Sequence, residues 1–501
     1  MEAKLGFSGF TAYRSVFKKI FTLTQSQDSV VPDTLPDIAS IDCCSGCALI
    51  RSKEVADGHV RLEANVPARV CCSGEDGGRF CLDVNIPFYL NAEDASIPEG
   101  GACVAELSVR RLEARLLNPR KISVRAELGI NLNCFAQNDE TFCTAPEAAS
   151  DSIHAREQEA ELTAVGSVTE KTFVLTDEYT LPAGSDVGGE IVSQHAEVTV
   201  QEVRSIGTKL IVKGSVCSRL LCMDESGELR AVVFTTSFSQ IVETEADTED
   251  TLCDARLLIS GMYYELIPTD DGTVIQMDLH MAAQVIVYAR FRVRCLADAY
   301  SNLFALKLQR QTRDFTLFGR EVTLRDSFPM ALDTAGETER VIACRVTPTA
   351  FTQGEEECSV QLLADLCWET GGSVRSMQRT LTRSIPTLQG GEAVRVSSVS
   401  VTDLDAVPVS VGAELRITLE LRAFTVRKMY VDSISAVEYD EAAPRDLDGL
   451  PSLVILYPGC QGELWTLAKE NCSTVEAICA ANGIEEDADV GDQLLLIPKT
   501  I

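Results

Sequence analysis

From Val60 to Val70 every second residue is apolar. Val60, Leu62, Ala64, Val66, Ala68 and Val70 alternate with Arg61, Glu63, Asn65, Pro67 and Arg69. A strand turns successive side chains to opposite faces, whereas a helix would scatter this pattern around its axis. The segment reads as a strand with one buried face, and Pro67, which has no N–H to give, points to a sheet edge. The pattern then returns. Leu210, Val212, Gly214, Val216 and Leu220 repeat it, with Cys222 standing where Cys72 stands in the first copy. Both copies enter an acidic, Gly-bearing turn, Glu75-Asp76-Gly77-Gly78 or Asp224-Glu225-Ser226-Gly227, and a return strand ending near Phe88 or Phe238. That is a hairpin written twice. A third runs from Val360 to Trp368, turns at Gly371-Gly372 and returns through Thr380 to Ile385-Pro386.

Each hairpin is framed by two further segments. Ahead of it stands a Phe-x-Leu stretch: Phe21-Thr22-Leu23, Phe173-Val174-Leu175 and Phe315-Thr316-Leu317. The first two lead on to Leu35-Pro36-Asp37-Ile38 and to Leu181-Pro182 with Ser185-Asp186-Val187. Behind it stands another alternating strand: Ile122 to Leu132, Leu279 to Val287, and Leu415 to Leu421. Repetition at this level is read before anything else. It predicts a mainly β chain of three tandem antiparallel, sandwich-like units over 17–137, 169–295 and 296–440, after an N-terminal segment 1–16. Residues 138–168 are polar, acidic and Ala-rich and read as a linker with helical content, and 441–450 as a second linker.

The last fifty residues break the period-two rule. Leu453-Val454-Ile455-Leu456-Tyr457 is a strand, and Leu464, Trp465, Leu467 and Ala468 have helical spacing. Thr474 is a helix N-cap before Val475 and Ile478, Asn482-Gly483 ends that helix, and Leu494-Leu495-Leu496-Ile497-Pro498 is a closing strand. The expected domain, 451–501, is a small βααβ unit.

These landmarks, Leu464-Trp465 with Ala468, Thr474 with Ile478, Asn482, and Gly491 with Leu494, Ile497 and Pro498, resemble a LysM domain. The family's G-D-[ST] before Leu-Trp reads Cys460-Gln461-Gly462-Glu463 here. The three β units resemble the SPOCS family, best in the first through Leu35-Pro36-Asp37-Ile38, Ile86-Pro87-Phe88 and Leu117-Asn118-Pro119-Arg120-Lys121-Ile122. In the second, Leu266-Ile267-Pro268-Thr269-Asp270-Asp271-Gly272 replaces the closing element. Together they resemble the SPOCS-plus-LysM spore-coat morphogenetic proteins of clostridia and their relatives. The resemblance implies a non-enzymatic tether in the mother-cell cytosol, at the forespore surface. Its implied partners are other coat proteins, the basement-layer ATPase among them; the alternative is peptidoglycan. In the LysM-type unit it places partner or glycan contact at Gly462, Glu463, Leu464, Asn482, Gly483 and Ile484, with Trp465 supporting from below and Leu464 and Ile478 in the core.

Charge and chemistry narrow the alternatives. A formal net charge of −31 over 501 residues repels phosphate backbones, so nucleic acid is not expected as a partner. No stretch reaches the roughly 20 apolar residues of a membrane helix. Arg14, Lys18 and Lys19 interrupt the first twenty residues, so a signal peptide is not expected there. Nineteen cysteines in a chain expected in the cytosol are read as mainly free thiols. The one metal-like cluster is Cys43-Cys44 with Cys47, near Cys71-Cys72 and Cys81. Adjacent cysteines face opposite sides of a strand, so we expect strand-packing or cross-linkable thiols and no zinc. His59, His154, His195 and His280 stand in no nucleophile or metal motif and are expected on surfaces or strand faces. No cofactor and no enzyme activity are expected.

Overall fold

The computed structural model describes the chain apart from residues 1, 147–152, 182–188, 225, 245–250, 270–271, 335, 390–391, 447–448, 458–462, 487–489, 491–492 and 501. Pro182, Ser185-Asp186-Val187, Glu225, Asp270, Asp271, Cys460, Gln461, Gly462 and Gly491, used above, lie outside the described residues. The protein is mainly β, in several antiparallel sheets.

One strand order recurs over three stretches. In the first, β1 (Leu5–Val30) pairs with β7 (Lys121–Pro146), which also pairs with β6 (Ala102–Asn118). Facing them is a sheet in which β4 (His59–Gly74) pairs with β2 (Ile38–Gly46), β3 (Leu49–Ala56) and β5 (Arg79–Glu93). In the second, β8 (His154–Thr180), β13 (Gly272–Tyr300) and β12 (Leu252–Thr269) take the places of β1, β7 and β6. The facing sheet is β9 (Glu190–Ile206), β10 (Lys209–Met223) and β11 (Leu229–Glu243). The third uses β14 (Phe304–Leu332), β20 (Gly412–Pro444) and β19 (Glu392–Val409), with the two-residue β18 (Leu388–Gln389) at the edge. It faces β15 (Arg340–Gln353), β16 (Glu357–Thr370) and β17 (Ser373–Pro386).

The alternating segments are the buried faces of these strands. Val60, Leu62, Ala64, Val66, Ala68 and Val70 of β4 share one apolar core with Ile122, Val124, Ala126, Leu128, Ile130 and Leu132 of β7. The hairpins match in register as well: Phe88 stands opposite Ala64, and Phe238 opposite Gly214. A Cβ on Gly214 would lie 2.6 Å from the Phe238 ring, so only glycine lets that ring close over β10. Gly77 and Gly227 hold φ of +83° and +82° in the two turns, the left-handed backbone that a chain reversal asks of glycine.

Three expectations need correction. Pro67 is not on an edge strand, because β4 has neighbours on both sides. Its missing N–H is tolerated because the neighbour on one side is interrupted there. Gly46 ends β2 opposite Ala68, and Leu49 begins the β3 pairing opposite Asn65. The described residues of the linker 138–168 are largely strand, as are those of the segment 1–16, for which no element was expected. Leu5 to Ser15 pairs with Phe135 to Pro146, and β8 pairs with β13 from His154 onward. Ala, Glu and Gln favour helix locally, but the ladder of hydrogen bonds along a partner strand overrides a propensity worth a few tenths of a kcal/mol per residue. The second linker is likewise strand as far as Pro444.

The long strands carry the three stretches into common apolar clusters. One joins Val104 and Phe135 to Ile286 and Tyr288 and to Phe318 and Phe424. Another joins Phe142, Leu162, Val293 and Val431. A third joins Cys43 and Cys71, then Val192, Leu221 and Leu229, then Ile342, Cys367 and Val374. Phe10 stacks on Phe291 at 4.2 Å and Tyr288 on Phe318 at 4.0 Å, both pairs crossing between stretches.

After β20 the chain forms β21 (Leu453–Leu456), α1 (Leu464–Glu470), α2 (Val475–Asn482) and β22 (Leu495–Pro498), with β21 antiparallel to β22. Thr474 caps α2 by accepting the Ala477 N–H at 3.1 Å. Gly483, at φ +64°, closes it, and the Ile484 amide returns to the Cys479 carbonyl at 3.2 Å. Leu464, Leu467, Ala468, Ile478, Leu495 and Ile497 form the core of this unit.

Candidate interaction surface

The residues expected to meet a partner are largely spent on the chain itself. Leu464 is buried in the core. Asn482 donates to the carbonyls of Ile478 (2.8 Å) and Leu496 (2.6 Å), and its Oδ1 accepts the Leu496 amide at 2.8 Å. It is a clasp between α2 and β22, with both of its side-chain N–H donors engaged. Gly483 serves the helix end, and Ile484 is half-buried against the same core that holds Leu464. The core thus brings the two turns together, as apolar packing. Glu463 stands at the start of α1 without making a side-chain cap bond and pairs instead with Arg156 at 2.6 Å. Gly462 lies outside the described residues.

Trp465 and its helix dock on the end of β13. The indole N–H donates to Asp298 at 3.0 Å, and the Lys469 ammonium reaches the same carboxylate at 2.6 and 2.8 Å. Burial alone would raise the Asp298 carboxyl, but these donors outweigh it and hold the group below its ordinary range. The Tyr300 ring meets Trp465 edge-on at 4.9 Å, and its hydroxyl donates to the Ser473 carbonyl at 3.0 Å. Tyr300 belongs to the apolar core of the C-terminal unit although it sits on β13. The face carrying Trp465 is therefore closed by the protein itself.

The opposite face is open. With both helices on one side of the two-stranded sheet, Val454 and Leu456 turn inward while Leu453, Ile455 and Tyr457 turn out. Ile455 is 57% exposed, Tyr457 59% and the neighbouring Leu494 64%, so four large apolar side chains stand together in water. Scattered exposed apolar residues are ordinary, but a contiguous set on a sheet face marks a contact surface. Sequence reasoning passed over it. The signal was the unbroken apolar run from Leu453 to Tyr457, since a strand that is apolar on both faces has two surfaces to cover.

The thiols and histidines occupy the junctions of the β body. Adjacent cysteines do part to opposite faces: Cys71 lies in the cluster shared by three stretches, and Cys72 in the first core. Cys43, Cys71 and Cys81 are neighbours in series, with Cys367 of the third stretch beside Cys43. Burial pushes the Cys44 and Cys47 thiols up to about 12, which makes them poor nucleophiles. Among the described residues no group of three His, Cys, Asp or Glu is disposed to hold a metal. His280 is exposed beside Tyr263. His195 stands on β9, a strand face as expected, but turned into the body of the protein. It lies in the wall of a cavity of about 700 Å³ where β2, β9, β10, β15 and β16 meet, and neither ring nitrogen has a hydrogen-bond partner. Burial, with Arg345 and Arg219 nearby, holds its imidazole well below the ordinary range and hence neutral.

No protein-family model, curated protein or solved structure matches the chain.

Proposed function

We propose that the protein is a non-enzymatic scaffold of spore-coat assembly, in which three SPOCS-type β units carry a LysM-type unit that binds a basement-layer coat protein. The observation that carries this reading is the exposed apolar stripe of Leu453, Ile455, Tyr457 and Leu494. Three of these four side chains offer no hydrogen-bonding group to a sugar hydroxyl, whereas the apolar face of a protein partner gains about 1.5–3 kcal/mol for each large side chain it covers. The strand-helix-helix-strand order and the Thr474, Asn482 and Gly483 devices support the LysM-type reading. The recurring strand order supports tandem units. On this reading the protein acts on the mother-cell side of the forespore.

The test is direct binding of the purified chain to the purified basement-layer ATPase and, separately, to purified peptidoglycan. Ile455→Asp with Tyr457→Asp should weaken ATPase binding by roughly 100-fold, the loss of two buried side chains. Tight, saturable peptidoglycan binding that survives both substitutions, with no affinity for the ATPase, would replace this reading by the glycan one.

A further inference from the structure

A second cavity, of about 460 Å³, lies where β1, β6 and β7 of the first stretch meet β12 and β13 of the second and β15 and β19 of the third. Its wall is basic in a chain whose formal net charge is −31. Lys18, Arg110, Arg256 and Arg395 line it against only two carboxylates, Glu106 and Asp254.

Both carboxylates are already committed to one cation. Arg256 reaches Glu106 at 2.8 Å and Asp254 at 3.1 Å. Asp254, which is buried, also accepts the Ser397 hydroxyl, and Glu106 accepts the Asn131 amide at 2.7 Å. Three cations are left over. Arg110 donates to the Thr22 hydroxyl at 2.9 Å while its Nε is buried without a partner. The Lys18 and Arg395 side chains form no hydrogen bond or ion pair with any described residue, and the Arg395 guanidinium lies over the Phe318 ring at 5.8 Å. The Asn131 Oδ1 is likewise buried and unpartnered. Burial first, then the charges of Arg395 and Arg256, depress the Lys18 ammonium, with Glu106 opposing. Like charges gathered around one recess repel one another, and a bound anion removes the repulsion.

We infer that this cavity binds a small organic anion carrying two or more negative charges, a phosphate ester or a polycarboxylate, between Lys18, Arg110 and Arg395. Arginine offers planar paired donors that suit both oxyanions. Below the cations the wall turns aromatic, with Tyr288, Phe318 and Phe424 packed against one another, which suits the carbon body of such an anion. Because all three stretches contribute to the wall, an occupant would clamp them together.

The test uses the full chain with pyrophosphate and with citrate as probes, by calorimetry and by melting temperature, against sodium chloride at matched ionic strength. One saturable site is expected. Tighter pyrophosphate assigns a phosphate ester, and tighter citrate a polycarboxylate. Lys18→Gln and Arg395→Gln lie at the exposed rim and should each weaken binding at least about tenfold, the loss of one charge-assisted contact. Without any probe the double variant should melt no lower than the parent, because repulsion is relieved. Absence of a saturable site, or unchanged affinity in the double variant, would overturn the inference, as would a melting rise that chloride reproduces.

Discussion

Leu128 of β7 and Ile455 of β21 are both apolar residues on strands, and they meet opposite fates. Leu128 is sealed between two sheets of the β body, in a core that takes in Leu258 and Ala282 of the second stretch, and a separate cluster joins all three stretches. Ile455 faces water, and its small unit is fastened to the body through a few contacts around Asp298 and Tyr300. Where apolar surface is shared among strands distant in sequence, its loss spreads through the molecule. Where a unit borrows one ring, Tyr300, from the body for its core and otherwise docks by polar contacts, it can come away alone.

The two tryptophans separate these cases, because Trp368 is buried in the third stretch and Trp465 sits on α1. The largest effect should come from Leu128→Ala, which leaves a cavity in the first core at a cost of about 2–5 kcal/mol. If the body unfolds as one, urea titration will show the Trp368 signal shifting with it, even though the substitution lies in another stretch. An unmoved Trp368 transition would show that the stretches unfold separately. Tyr300→Ala should cost about 3 kcal/mol, and the loss should fall on the docking of the C-terminal unit alone. Limited proteolysis should then cut between β20 and β21, with the Trp465 emission shifted to the red and Trp368 unchanged.

The smallest effect is one of pH. The Asp298 carboxyl is depressed in the folded protein, so its contribution is fully present above the ordinary aspartate range near 4 and is lost as pH falls through the lower folded value. Discounted for its partial exposure, the contribution is about 1 kcal/mol. Acidification towards pH 3 should therefore loosen the C-terminal unit before the body unfolds, and Asp298→Asn should abolish the pH dependence of that step. A release that still titrates in the variant would assign it to another group.

The β body was legible where one face of a strand is buried and the other wet, as from Val60 to Val70 and from Ile122 to Leu132. That alternation follows from strand geometry alone. It failed at both ends of the long strands. His154 to Glu161 is mostly polar and rich in helix formers, and only its pairing with Arg292 to Tyr300 of β13 makes it strand. A partner strand over a hundred residues away leaves no local mark. In the C-terminal unit the caps and core were readable, since each depends on neighbours a few residues apart. The contact surface was not. Asn482 looked available because nothing in its spacing reveals what Leu496 would take from it. The cavity around His195 escaped for the same reason: strands from all three stretches build it.

The meeting of Cys43, Val192 and Ile342 carries a consequence of its own. These residues sit on β2, β9 and β15, the opening strands of the three facing sheets, and they pack into one cluster. Three separate chains assembled around such a point would have to present the same side chain three times. Joined covalently, the three copies always find one another at a local concentration set by the connecting segments, independent of how dilute the protein is. Each position is then free to drift by itself, and a basic recess built from Lys18, Arg256 and Arg395 can exist once per molecule, at an angle no ring of identical subunits could reserve for it.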